Sequence, residues 1–178
     1  ERSAWFGCAC CPSNVCRFIP AIPGYIYSVT DKDLYVNLFA SNNADIELGK
    51  RNVRISQETN YPWEGKVTMI IDPEKAGKFT VRIRIPGWAR NEAIPGNLYS
   101  FAGQTDEKHS LTVNGEKTEA QVDNGYAVIT RKWLPGDRIE LDLPMPVRTV
   151  LADGKVKDDE GKYAVQRGPL MFCAEWPD

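Results

Sequence analysis

Hydrophobic and polar residues alternate with a period of two along most of this chain. The clearest segment is 79–85, where apolar residues at 79, 81, 83 and 85 alternate with Thr, Arg and Arg. This alternation is typical of a strand with one buried and one solvated face. The same period predicts a hairpin from 25–29 and 34–39, and a further strong strand at 66–72.

Shorter strands are predicted over the remainder of the chain. Residues 91–108 have no clear period and are expected to form a long loop. Asn114-Gly115 is the signal of a tight hairpin. The other predicted strands are a weaker pair at 44–48 and 53–57, followed by 110–113, 126–130, 138–143, 147–151, 163–166 and 170–174. Many short strands with few helices predict a mainly β fold, an antiparallel β-sandwich of jelly-roll type.

A helical period occurs only near the start of the chain. The apolar residues that recur at helical spacing are Val15, Phe18, Ile19 and Ile22. Pro12 suits the first turn of a helix, where its missing N–H costs nothing. Pro20 and Pro23 restrict the helix, so we expect it to kink or stop within 19–22, with Gly24 closing it. One short helix therefore precedes the predicted sandwich.

Composition limits the classes of function. A chain of 178 residues can bury a hydrophobic core. Its net charge of −2 argues against nucleic acid as a main partner, since phosphate binding needs a basic surface. No apolar run approaches the roughly 20 residues of a membrane span. The chain begins Glu-Arg-Ser without a methionine, and we expect it to be a piece of a longer protein or a processed product.

Cysteine is the residue type that points to chemistry. The five cysteines are Cys8, Cys10, Cys11, Cys16 and Cys173. Four of them lie within nine residues, whereas a disulfide framework would spread them more evenly. The positive end of a helix dipole favours a thiolate, which is both a nucleophile and a zinc ligand. The spacing alone leaves two readings open, a catalytic or metal role and a set of small buried thiols.

The cysteine segment resembles a known family. Residues 5–14, with Arg17 and 24–27, are similar to glycoside hydrolase family 127 and its relative, family 146. The similarity extends over essentially the whole chain. The other matching segments are 60–63, 85–88, Trp133 with 136–137, 143–148 and 166–170.

The resemblance implies a fold and an activity. In this family an (α/α)₆ barrel precedes β-sandwich domains, so residues 1–24 would end the helical barrel and 25–178 would form a sandwich. Members with an assigned activity are retaining β-L-arabinofuranosidases from bacteria. The compartment stays open between the cytoplasm and the periplasm or secretion. The implied partners are an arabinose-containing glycan and the N-terminal catalytic domain.

The resemblance also implies roles for two cysteines. Cys10 matches the nucleophile, and Cys10 and Cys11 match zinc ligands. The remaining glutamate and cysteine ligands and the acid/base glutamate precede this chain in the family. We therefore expect residues 1–178 alone to be inactive and to bind zinc weakly or not at all.

A second hypothesis assigns the chain to a different functional class. It could be a non-catalytic β-sandwich that binds glycan or braces a larger assembly. Trp63 and Trp88 could stack on sugar rings, although tryptophan more often packs in ordinary contacts.

The remaining candidate residues favour structural roles. A packing role is favoured for Cys8, and Cys16 and Cys173 are predicted in the core. His109 has no evident partner, and residues 158–160 are expected in a solvated acidic turn.

Overall fold

The computed structural model describes residues 10–173, which begin with two helical segments. Helix α1 is Cys10–Ala21 and α2 is Pro23–Ile26. The expected helix is confirmed, and the cysteines lie at the N-terminal end of its described part. The prediction that Gly24 ends the helix is wrong, because Pro23 stands in the first turn of α2 and Gly24 lies inside it. Tyr25 and Ile26 are consequently helical, and the hairpin predicted from 25 starts two residues later.

The rest of the described chain is mainly β, as predicted. Three sheets contain fifteen strands between residues 10 and 173. These are β1 Tyr27–Val29, β2 Asp33–Val36, β3 Asn42–Leu48, β4 Arg51–Thr59, β5 Lys66–Pro73, β6 Gly77–Arg84, β7 Tyr99–Phe101, β8 Ser110–Val113, β9 Glu116–Lys117, β10 Gln121–Asp123, β11 Tyr126–Trp133, β12 Asp137–Asp142, β13 Val147–Ala152, β14 Tyr163–Arg167 and β15 Leu170–Phe172. Two short 3₁₀ helices, Gly87–Arg90 and Lys157–Asp159, lie between strands.

Two of the sheets form a sandwich. The first sheet has the order β1-β2-β6-β11-β10, and the second has the order β3-β4-β5-β12-β8-β9. Alternate residues of both sheets enter one continuous apolar core, which explains the period of two in the sequence. Ile55 and Ile71 of the second sheet and Val81 and Ile83 of the first are completely buried there. The predicted β-sandwich is thus confirmed.

The first sheet contains one parallel pair. Strand β2 runs parallel to β6, whereas every other strand pair in the described chain is antiparallel. Arg82 on the solvated face of β6 links β2 to β10, because it donates to Asp33 at 3.0 Å and to Asp123 at 3.1 Å. The guanidinium also lies 5.5 Å from the ring centroid of Tyr35. This ion cluster occupies the face opposite the core.

The third sheet, in the order β15-β14-β13-β7, lies outside the sandwich core. Its buried apolar residue Val150 is not part of the continuous core. Strand β7 belongs to the segment 91–108, which was expected to be loop throughout. It is a strand because Phe101 and Tyr99 pair with Val150 and Ala152 on β13. A strand of three residues that forms by pairing with a distant segment is too short to show a periodic pattern in its own sequence.

One turn confirms a sequence signal, and one close backbone approach requires glycine. Asn114 and Gly115 have φ angles of 54° and 81°, the left-handed conformations that a two-residue hairpin needs. At Gly65, a Cβ atom would lie 1.8 Å from the carbonyl oxygen of Leu143. Only glycine lets these two backbone segments approach so closely.

The helices are connected to the sandwich through Ile26. This residue is buried, and its carbonyl accepts the backbone N–H of Asn37 at 2.8 Å. The side chain of Asn37 also donates to the carbonyl of Tyr25 at 3.3 Å. These bonds hold the end of α2 beside the end of β2, and α1 extends from there. None of the helices between residues 10 and 173 has the length and apolar character needed to cross a membrane.

Candidate functional site

Two adjacent thiols stand at the start of α1. Cys10 and Cys11 are the first two residues of the helix, and both are exposed. Their sulfur atoms lie 3.9 Å apart. In the first turn of a helix, unbonded backbone N–H groups and the helix dipole favour negative charge. The local structure therefore presents two sulfur atoms together at the N-terminal end of the described helix.

Two residues that sequence reasoning left without a role hold the backbone of this turn. The carbonyl oxygen of Cys10 accepts the Ser13 hydroxyl at 3.0 Å and the Asn14 amide at 2.9 Å. Arg17 in turn donates to Asn14 Oδ1. Asn14 therefore joins Cys10 to Arg17. The signal was present in the sequence, since residues three and four positions apart share one face of a helix.

The sulfur separation suits a shared zinc ion. Two thiolates bound at about 2.3 Å in a tetrahedral site stand about 3.8 Å apart. The observed 3.9 Å needs almost no rearrangement. A tetrahedral zinc site has four ligands, and the two sulfur atoms would supply half of them. Within residues 10–173, no group of three or more His, Cys, Asp or Glu side chains is placed to hold a metal ion. The cysteine pair fits a zinc ion that receives its other ligands from elsewhere.

The apolar face of α1 is exposed. No residue of the helix is buried in the described structure, and Val15, Phe18 and Ile19 are each more than half exposed. The prediction that Cys16 lies in the core is therefore wrong, because α1 does not pack against the sandwich. The site thus stands on a helix whose apolar side chains have no covering layer within residues 10–173.

The other predicted positions are distributed over the fold. Cys173 follows β15 and is exposed, so its predicted core position is wrong; within residues 10–173 no layer covers the third sheet at this point. Cys8 lies outside the described residues. The turn at 158–160 is confirmed as a 3₁₀ helix and its C-cap, although Asp159 also accepts the Tyr99 hydroxyl at 2.9 Å. His109 is half-buried, and its burial lowers its pKa.

The two tryptophans considered as sugar platforms differ in exposure. Trp88 lies on the 3₁₀ helix Gly87–Arg90, is half-buried and packs against the sandwich core. Trp63 is 66% exposed, and its carbonyl accepts Arg167 Nη1 of the third sheet at 2.9 Å. Trp88 therefore matches the packing alternative, whereas the Trp63 ring remains available for contact.

Comparison with family models gives two matches. Residues 33–145 match the model described as "Beta-L-arabinofuranosidase, GH127 middle domain". Residues 147–178 match the C-terminal domain of glycoside hydrolase family 127. The boundary falls where the third sheet begins, at β13, although β7 of that sheet lies within the first match.

Comparison with individual proteins also finds arabinofuranosidases. A non-reducing end β-L-arabinofuranosidase of Bifidobacterium longum subsp. longum is 35% identical over 185 residues, which cover all of this chain and 25% of that protein. The structure of the GH127 β-arabinofuranosidase BT3674 is 47% identical over all of this chain and 28% of its own, with a TM-score of 0.93. That of Ara127N-Se, a GH127 β-L-arabinofuranosidase of Geobacillus stearothermophilus T6, is 41% identical over 96% of this chain and 24% of its own, with a TM-score of 0.81. The chain thus spans about a quarter of the length of these relatives.

Proposed function

The chain belongs to glycoside hydrolase family 127, and from this premise we propose that it is part of a retaining glycosidase of the β-L-arabinofuranosidase type, with Cys10 as the nucleophile. The observation that carries the proposal is the pair of exposed sulfur atoms, 3.9 Å apart, in the first turn of α1. The substrate class follows the β-L-arabinofuranosidases to which the chain is similar. The glycan would be an arabinose-containing one.

The proposed reaction has two displacement steps. In the first, Cys10 Sγ forms a bond to the anomeric carbon while the glycosidic C–O bond breaks, and the leaving oxygen takes a proton from an acid. In the second, water attacks the anomeric carbon, loses a proton to the same group, and the C–S bond breaks to release the thiolate. Two inversions retain the configuration of the sugar.

Residues of this chain prepare the nucleophile. Cys10 and Cys11 would hold zinc, which when bound keeps thiols deprotonated. Asn14 and Ser13 fix the Cys10 carbonyl and so the first turn of α1. Arg17 orients the Asn14 amide through Oδ1. This short network on one helix face would hold the backbone of the proposed nucleophile in place.

The remaining parts of the site would come from the longer enzyme. The acid/base glutamate, a glutamate ligand and a third cysteine ligand are proposed to precede these residues, in the N-terminal catalytic domain. The exposed face of α1 supports this proposal, since Val15, Phe18 and Ile19 need a covering layer. Residues 1–178 alone are accordingly proposed to be inactive.

The test uses the longer enzyme. Cys10→Ser should abolish hydrolysis of a β-L-arabinofuranoside, while Cys16→Ser, an exposed cysteine on the same helix, should leave it unchanged. Near-normal turnover by the Cys10→Ser enzyme would refute the nucleophile assignment. Equal losses in both variants would indicate damage to the helix instead.

A second candidate function rests on Trp63. An indole that is 66% exposed offers a flat apolar surface of the kind on which sugar rings stack. Glycan binding by the isolated chain, measured by calorimetry with an arabinan, should be lost in Trp63→Ala and kept in Tyr163→Ala. Tyr163 is the matched control because it is an aromatic residue with 71% exposure on the third sheet. Equal affinity of wild type and Trp63→Ala would remove this candidate.

A further inference from the structure

A small cavity lies at the junction between the third sheet and the sandwich. Its volume is about 10 Å³. The residues that line it include Trp88, Phe101, Glu107, Arg148, Gln166 and Gly168. A volume of this size is close to the minimum that holds one water molecule. Most of the lining residues belong to the third sheet or to the segments that adjoin it.

Arg148 supplies an unused donor to this cavity. Its guanidinium carbon lies 3.4 Å from the ring centroid of Phe101, and Nη2 donates to the carbonyl of Gly103. Nη1 is buried and has no acceptor within residues 10–173. Burial also lowers the pKa of Arg148. A buried donor without an acceptor is costly, so this N–H has a strong requirement for a partner.

Gln166 supplies an unused acceptor. The residue is 5% exposed, and its Nε2 donates to the carbonyl of Gly168 at 2.8 Å. This bond fixes the orientation of the amide, since a flipped amide would place two oxygens against each other. Oε1 is buried and accepts from no group in the described chain. Arg148 and Gln166 stand opposite each other on β13 and β14, so both side chains lie on the same face of the third sheet.

We propose that this cavity binds one structural water molecule, which accepts a hydrogen bond from Arg148 Nη1 and donates one to Gln166 Oε1. A water satisfies a donor and an acceptor together, whereas an anion satisfies only the donor. The Gln166 oxygen and the nearby Glu107 carboxylate both disfavour an anion. The water completes the bonding of Arg148, which also binds Phe101 and Gly103. It therefore helps attach the segment 91–108 to the third sheet.

A high-resolution crystal structure of the intact chain tests the site directly. The expected result is one density peak about 2.7–3.2 Å from both Arg148 Nη1 and Gln166 Oε1. Crystals soaked in bromide should show no anomalous signal at this position. Maps that resolve other buried waters but no peak here would overturn the proposal. A bromide signal in the cavity would overturn it as well, by showing an anion site.

Variants give a second test that does not depend on one map. Gln166→Met keeps the length of the side chain and removes the acceptor Oε1, so the peak should disappear. It also removes the Nε2 donor to Gly168, so the expected fall of the folded-to-unfolded ratio, roughly five- to thirty-fold, includes both losses. Gln121→Met on the exposed strand β10 is the matched control and should change neither. A Gln166→Met structure that retains the water with full occupancy would contradict the assignment.

Discussion

The sulfur atoms of Cys10 and Cys11 lie 3.9 Å apart, close to the separation of two thiolates on one tetrahedral zinc ion. The two sulfur atoms belong to adjacent residues of α1, and Ser13 and Asn14 donate to the carbonyl of Cys10. In the proposed zinc site, α1 would supply two ligands, and the longer enzyme would add the remaining ones.

Removing one of the two sulfurs should weaken zinc binding by the longer enzyme. We expect Cys11→Ser to lower zinc affinity by at least about 100-fold, more than is lost by changing a residue that only orients a ligand. Zinc retained during competition with a chelator, measured by mass spectrometry of the metal, checks this. Cys16→Ser is the control and should keep full occupancy. Unchanged zinc retention in Cys11→Ser would exclude Cys11 as a ligand.

Asn14 should matter for activity and not for stability. In the longer enzyme, Asn14→Ala is expected to reduce kcat roughly 10- to 100-fold, because the Cys10 carbonyl loses the bond that fixes the turn. Arg17→Met should reduce kcat by a smaller factor. The activation free energy lost by the double variant should be less than the sum of the losses in the two single variants. Asn43→Ala, on an exposed position of β3, is the control. Strictly additive effects would show that Arg17 does not act through Asn14.

Trp133 should dominate the stability of the sandwich. It is completely buried, its indole N–H donates to the Phe79 carbonyl at 3.1 Å, and it packs against the Phe79 ring. Trp133→Ala is expected to cost about 3–5 kcal/mol in the free energy of unfolding. Trp63→Ala should change it by less than about 0.5 kcal/mol, since the Trp63 ring is exposed. Urea denaturation of both variants measures the two free energies of unfolding. Similar losses of free energy in Trp133→Ala and Trp63→Ala would contradict this account of the core.

His109 should make stability depend on pH in the mildly acidic range. Burial lowers the pKa of His109 below its ordinary value of 6.5, so the unfolded chain binds a proton at a higher pH than the folded protein. The contribution of neutral His109 to the free energy of unfolding is therefore fully present above about pH 6.5. It declines as the pH falls toward the folded-state pKa. Because the chain has one histidine, His109→Gln should flatten this part of the pH profile of the melting temperature. If the melting temperature of His109→Gln changed with pH at the same slope as that of the wild type, the pH dependence would come from other groups.

The sequence predicts the sandwich well where each residue alternates between core and solvent. In strand β6, Phe79, Val81 and Ile83 are buried and Arg84 is exposed, as predicted. Thr80, expected on the solvated face, is buried and shares a hydrogen bond with Thr130 on β11. Strand β4 is longer than expected, at nine residues, because polar side chains at its ends dilute the pattern. The parallel pairing of β2 with β6 could not be predicted, since strand order depends on contacts between segments far apart in the chain.

The helical segment shows a different limit of sequence reasoning. Pro12 and the local period predict a helix that includes Cys10 and Cys11, and both residues are helical in the structure. The exposure of Cys16 could not be derived from the sequence. The spacing of apolar residues shows which face of a helix is apolar, but it does not show which residues pack against that face. The same holds for Cys173 beside the third sheet. The roles of Cys10 and Cys11 in catalysis and zinc binding stay predictions.

The central claim is that Cys10 attacks the sugar. Its most direct test is mass spectrometry of peptides from the longer enzyme, quenched with acid during turnover of an arabinofuranoside with a reactive leaving group. We predict that the peptide containing Cys10 carries the mass of one arabinosyl group, and that its fragment ions place this group on Cys10 and not on Cys11 or Cys16. An arabinosyl adduct on a carboxylate, with Cys10 unmodified during active turnover, would contradict the account.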